Sequence, residues 1–306
     1  MTSTGTITPP IEGPGRLGRA FPRKTDTAPV LSRAGWGVRI TMIVVCVLWV
    51  VPTVGLLITS FRTQDAANDS GWWTVITKPF SNWTFTNYDQ VLREGGGNAF
   101  LNSLAVSLPA TIIPVMIAAF AAYAFTFMSF PFRDTIFIII VALIVVPNQV
   151  SFVPMLKIYG SLGLTGTFPA VWLAHIGFGM PLAIFLLRNY MATLPRGVIE
   201  SAKIDGASHF QTFWRLIVPM SVPALASFAI FQFLWTWNDL LVALIFLGPG
   251  DNGTLTLQVQ GLIGQQNQGW QLLTAGAFLS MVIPLIVFLS LQRYFVRGLT
   301  AGSVKG

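Results

Sequence analysis

Charge is what this 306-residue sequence most lacks: Asp, Glu, Lys and Arg make up 9% of it, where soluble domains carry about 25%. A soluble chain that is 53% hydrophobic, with a mean hydropathy of +0.67, has too little polar surface to cover itself. The composition therefore describes an integral membrane protein. Cysteine is nearly missing too. The one copy, Cys46, excludes an internal disulfide framework and reads as a small residue inside an apolar run. The two histidines, His175 and His209, are far apart and have no second cysteine to join them, so no metal-ligand spacing exists. No Gly-Lys pair occurs, which excludes a phosphate-binding loop of the G-x-x-x-x-G-K-[ST] kind. Any ATP this protein depends on is hydrolysed by another chain. The formal net charge of +7 is spread along the sequence rather than gathered on one polar domain, which argues against nucleic acid as a partner.

Long apolar runs are abundant. A bilayer core takes about 20 apolar residues per helix, and six runs qualify: 37–60, 99–128, 135–157, 168–190, 220–247 and 272–296. Short polar or Gly/Pro-bearing segments divide them. With six spans both termini lie on one side. Of the 18 Lys and Arg, only Arg62, Lys78, Arg93 and Lys157 fall on the other side. The positive-inside rule then places both termini and residues 191–219 in the cytoplasm. The expected organisation is a flexible cytoplasmic tail over 1–35, rich in Pro, Gly, Thr and Arg, a six-helix domain over 36–298 and a short cytoplasmic tail over 299–306. The first run starts too late and is too long for a cleaved signal and reads as an uncleaved anchor. The largest outer loop, 61–98, carries Trp72, Trp73, Phe80, Trp83 and Tyr88, which suit an interfacial belt or a docking surface for an outside partner. Three N-x-[ST] patterns, at Asn68, Asn82 and Asn252, also fall outside.

The cytoplasmic stretch ESAKIDGASHFQTFWRLIVP, residues 200–219, is polar and helix-prone between two apolar runs. Pro195 suits the first turn of a helix, Gly206 supplies a left-handed stop, and Ser208 with Gln211 matches a capping box for a second short helix. Pro219 and Pro223 mark the entry to the fifth run. Helices this short need a surface to pack on. The small face of Ser201, Ala202, Gly206 and Ala207 admits another backbone closely, and Glu200 and Asp205 offer anchors to bases there. An amphipathic connector lying at the headgroups is the alternative.

The stretch resembles the cytoplasmic loop of ABC importer permeases, with Glu200-Ser201-Ala202, then Gly206, then Leu216-Ile217-Val218-Pro219 in the places of E-A-A, G and I-x-L-P. Ser201 departs from the usual Ala, and the end of the pattern is loosely matched. Two more segments are similar to sugar-importer permeases: FLWTWNDLLVALIFL at 233–247, and QRYFVRGLTAGSVKG at 292–306, which resembles the end of maltose-transporter-type permeases. The resemblance implies an all-α type I permease fold in a bacterial inner or plasma membrane. It implies a coupling helix in which Glu200, Ser201, Ala202, Asp205, Gly206 and Ala207 meet a cytoplasmic ATPase, with Gly302–Gly306 reaching toward it as well. The implied partners are a second, similar permease, two ATPase subunits that use ATP and Mg, and an extracytoplasmic sugar-binding protein. The implied substrate is a sugar, an α-glucoside or other oligosaccharide, and the chain by itself is no enzyme.

Polar groups inside spans are costly and therefore informative. Asn148 and Gln149 stand beside Pro147 in the third run, where the proline bends the helix. Trp235, Trp237, Asn238 and Asp239 stand together in the fifth. Aromatic faces beside amide and carboxylate acceptors suit a sugar. Helix–helix hydrogen bonding is the competing role, and Asp239 lies about 28 Å along a helix from Met220, near the outer interface. A secondary transporter or channel needs ion-coupling acids in the spans, and only Asp239 qualifies. A membrane-embedded enzyme needs a nucleophile–base or paired-carboxylate constellation, and none is visible.

Overall fold

The computed structural model describes residues 35–79, 82–248, 250–263 and 269–300, without the side chains of 263 and 293–300. The N-terminal tail expected over 1–35 (Gly35 excepted), the end of the C-terminal tail at 301–306 and Phe80 lie outside these residues. The chain divides into two units, 1–51 and 52–306. Helix α1 spans Trp36–Ser60, and its part up to Val51 belongs to the first unit.

In order along the second unit come α2 (Gln64–Asp69), a 3₁₀ turn (Trp72–Ile76), α3 (Thr86–Val91) and a π-helical turn (Leu92–Gly96) that leads into α4 (Gly97–Phe127). Then follow α5 (Arg133–Leu143), α6 (Gln149–Ser161), α7 (Phe168–Met191), α8 (Arg196–Ile204) and α9 (His209–Thr212). A second π-helical turn (Phe213–Ile217) joins α9 to α10 (Val218–Trp237), and α11 (Leu241–Phe246), α12 (Leu255–Ile263) and α13 (Trp270–Thr300) complete the order.

Among the described residues five helices are long and apolar enough to cross a membrane: Trp36–Ser60, Thr86–Phe127, Phe168–Met191, His209–Trp237 and Trp270–Gln292. The third apolar run, expected as one span over 135–157, is instead divided into α5 and α6, of 11 and 13 residues. Pro147 is the cause. It has no N–H to donate and disfavours helical backbone at Val146, so the chain breaks there and restarts at Gln149. The fifth run, expected over 220–247, ends earlier in the chain. It stops at Trp237, and Asp239 Oδ1 accepts the Val242 N–H at 2.7 Å to start α11.

Helix α4 packs along α7. Both helices bury alanines with almost no exposure: Ala118 and Ala122 cluster with Ala183, and Ala170 and Ala174 with Val106. Without a hydrophobic drive between helices in lipid, small residues that admit close backbones provide the packing. The prolines of the long helices then do a second job. Each deprives the carbonyl four residues earlier of its helical donor, and three of those carbonyls take a side chain from a neighbouring span. Ala105, four before Pro109, accepts Trp172 Nε1–H at 3.0 Å. Ala110, four before Pro114, accepts Gln232 Nε2–H at 3.2 Å. Ser280, four before Pro284, accepts Trp237 Nε1–H at 2.9 Å. Interhelical bonds of this kind contribute about 0.6 kcal/mol each, too little to hold the bundle but enough to set its register.

Near the start of α4 the Ser103 hydroxyl accepts the Leu255 N–H at 2.8 Å, and Asn102 donates to the Asp251 and Gly253 carbonyls. Both tie α4 to the start of α12. Ser103→Ala leaves a buried N–H unpaired and is expected to destabilise the purified protein by about 1–3 kcal/mol. Ser107→Ala is the contrast. That hydroxyl is equally buried but finds no partner among the described residues, so a thermal unfolding assay in detergent should separate the two variants clearly.

Candidate functional site

The polar stretch folds as its local signals require. Helix α8 starts after Pro195, whose backbone is extended at φ −62° and ψ 112°. It ends at Gly206, which takes φ +79°, a conformation that side-chain-bearing residues rarely adopt. Gly206 N–H donates to Lys203 O at 3.1 Å and Ala207 N–H to Ala202 O at 2.9 Å, closing the last carbonyls of α8. The capping box is complete. Ser208 Oγ accepts from Gln211 N–H at 3.3 Å, and Gln211 Oε1 accepts from Ser208 N–H at 2.9 Å. One side chain of α8, Ile199, is buried; it joins a cluster with Leu187, Met191, Phe213 and Ile217.

Apart from that anchor, α8 and the turn after it face outward. Glu200, Ser201, Asp205 and Gly206 are exposed, and Ala202 and Ala207 are half-buried. Two large apolar side chains flank the turn in the open, Ile204 at 85% and Phe210 at 67% exposure. Sequence reasoning passed over both. The signal available for them was an isoleucine and a phenylalanine placed beside small and charged residues rather than in an apolar run.

A second feature lies within the spans. A cavity of about 500 Å³ opens between the α5–α6 break, α7 and α10, and Asn148, Ser151, Gly177, Phe178, Gln232 and Trp235 are among its walls. No charged side chain lines it among the described residues. Asn148 and Trp235, two of the residues singled out in sequence, meet here. The others lie elsewhere. Gln149 is exposed beyond the cavity wall. Trp237 is buried and donates to Ser280 O. Asn238 Nδ2 donates back to Leu234 O at 2.7 Å, and Asp239 caps α11 while its own carbonyl accepts from Thr256 Oγ1 at 3.0 Å.

The residue that reasoning missed is Gln232. It is fully buried, its Nε2 is held by the Ala110 and His175 carbonyls at 3.2 and 3.4 Å, and its Oε1 finds no partner among the described residues. It approaches Gly179 so closely that a Cβ built there meets Oε1 at 2.7 Å. A lone amide in the run FAIFQFLW was the available signal. Pro181 also withholds from Gly177 the N–H that its carbonyl takes in a regular helix. The cavity thus joins the Asn148 amide and the Ser151 hydroxyl with the aromatic rings of Phe178 and Trp235, and Gln232 stands buried in its wall. That set can accept hydroxyl hydrogens and cover an apolar ring face.

Residues 110–301 match the family described as binding-protein-dependent transport system inner membrane component. The chain is 54% identical over 272 residues to the osmoprotective compounds uptake permease protein GgtD of Synechocystis, covering 88% of this chain and 91% of that one. It is 40% identical to the alpha-glucoside transport system permease protein AglG of Rhizobium meliloti, over 89% of this chain and 97% of that one. Its fold is similar to a crystal structure of a bacterial ABC transporter that imports the acidic polysaccharide alginate, with a TM-score of 0.67 at 19% identity, covering 86% of this chain and 99% of that one.

Proposed function

The chain belongs to the family of inner membrane components of binding-protein-dependent transport systems, and from that premise we propose that it forms half of the pathway of an ABC importer for a neutral sugar, an α-glucoside or short oligosaccharide. The cavity carries this reading: about 500 Å³ of space walled mainly by apolar side chains, with an amide, a hydroxyl and aromatic rings among them and no charged group among the described residues. A neutral polyol loses water there against acceptors that stay fixed, whereas an ion loses its hydration without a counter-charge. The alpha-glucoside relative supports the same class.

In this reading Asn148, Ser151 and Trp235 touch the solute, Gln232 shapes the wall from behind, and Gln149, Trp237, Asn238 and Asp239 hold the walls and ends of the spans. Residues 196–212 face the cytoplasm, as do both termini. The turn at Glu200–Ala207 is the seat for an ATPase subunit, and Ile204 and Phe210 are apolar contacts on either side of it. ATP and Mg are used by two such subunits, and hydrolysis is not performed by this chain. A second, similar permease closes the pathway, and a sugar-binding protein delivers the solute from outside.

The test is to purify the tagged chain in mild detergent, identify what accompanies it, and measure uptake of labelled maltose, trehalose and sucrose into vesicles that contain the whole assembly. The expected result is a second permease and an ATPase in the same particle, and ATP-dependent uptake of at least one disaccharide. Selective uptake of glycine betaine would overturn the neutral-sugar reading. Uptake without any ATPase that collapses with the proton gradient would replace the importer with a secondary transporter.

A further inference from the structure

The docking segment is joined covalently to α10, yet its second half is held against α4. The Tyr123 hydroxyl and His209 Nδ1 share a hydrogen bond of 2.9 Å, and their rings meet edge to face at 6.0 Å. Phe120 stacks on Phe213 with centroids 4.4 Å apart, and Tyr123 meets Phe213 at 5.5 Å. Tyr123 and Phe213 are both buried. Four rings thus fasten α9 and the π-helical turn to the cytoplasmic end of α4. Such pairs are worth more than their area alone, and a helix of four residues does not persist without tertiary support. The other end of the route is in the cavity. The same helix α4 carries Ala110, whose carbonyl holds Gln232 in place. Tyr123 and Ala110 are about 20 Å apart along one helix.

We propose that Tyr123 and His209 form a clamp that makes α4 the lever between the docking segment and the solute cavity, so that displacement of the turn at Gly206 moves the Ala110–Gln232 contact. Both are positioning residues, and neither touches solute. The inference rests on the reading of residues 196–212 as the ATPase seat. The small, exposed turn receives the push. The clamp decides which span moves, and the π-helical turn, a common place for a register change in a functional helix, lets α10 follow without dragging α9 along its axis.

The test uses the complete importer in proteoliposomes, with uptake of labelled maltose, trehalose and sucrose and ATP hydrolysis measured in the same vesicles. Tyr123→Phe and His209→Leu are each expected to raise the ATP hydrolysed per sugar moved by about threefold to tenfold. The double variant should be no worse than either single one, because both remove the same bond. His209→Gln, which keeps a polar partner for the Tyr123 hydroxyl, should recover most of the coupling. Hydrogen exchange on the purified complex adds a readout that needs no solute: amides of residues 208–217 should exchange faster in Tyr123→Phe. An unchanged ratio, additive single effects or unchanged protection would each overturn the clamp. A fall in assembled complex with a constant ratio would do so too, since it marks a merely structural contact. Gly206→Trp separates this from the reading beneath it. If Gly206→Trp is inactive while Tyr123→Phe behaves as wild type, the clamp alone fails; if Gly206→Trp transports normally, the docking seat fails.

Discussion

Gly206→Trp is expected to abolish uptake while the chain still folds and reaches the membrane. The argument comes from where the bulk would go. A Cβ built on Gly206 meets nothing within 4 Å, so the added side chain leaves the backbone into open space. The local cost is conformational: φ is +79°, where a side-chain-bearing residue costs about 1–2 kcal/mol. That is tolerable in an exposed turn whose neighbours are closed by their own hydrogen bonds. In the proposed docking the ring occupies the space the ATPase subunit needs. Blocking the centre of an interface costs about 2 kcal/mol or more, roughly a thirtyfold loss of affinity. Co-purification of the ATPase and uptake should therefore fall together by about that factor. Gly206→Ala, which has the strain without the bulk, should retain most of both. If Ala and Trp are equally harmful, backbone strain and not docking is the cause.

Gly179→Val is expected to have the largest effect within the membrane. Its Cβ meets Gln232 Oε1 at 2.7 Å and Nε2 at 2.9 Å, closer than atoms approach. Gln232 has to leave. Its Nε2 then gives up the Ala110 and His175 carbonyls, and the carboxamide enters the cavity it now borders. Crowding costs about 1–3 kcal/mol, and stranding a buried polar group costs about as much again. Uptake should fall about tenfold or more, with the amount of assembled complex close to wild type. Gly177→Ala is the control. It stands on the same wall, but its Cβ meets nothing within 4 Å, so its effect should stay within about twofold. Equal losses from the two would show that any added methyl harms the helix, and that the contact with Gln232 has no special part.

The membrane class and the near-absence of charge in the spans were legible because composition reports the solvent a segment meets. The two short helices with their glycine stop were legible for a different reason. Capping is local: Ser208 and Gln211 are three residues apart and satisfy each other without help from the rest of the chain. The division of the third run was only half legible. Pro147 announced a bend, but apolar length alone could not show that the chain breaks fully into α5 and α6.

The cavity was the least legible part, and helix geometry explains why. Residues adjacent in sequence point about 100° apart around a helix. Trp235 and Trp237 therefore face different neighbours, one lining the cavity and the other donating to Ser280 O on α13. Asn148 and Gln149 part in the same way. Sequence by itself determined that this protein lives in a bilayer and carries a two-helix turn between two apolar runs, because hydropathy and capping act over a few residues. Only the tertiary structure decided which polar side chains share a space. Gln232 meets Ala110 across 122 residues of chain, in a pairing set by how α4, α7 and α10 pack, and no local pattern encodes that distance.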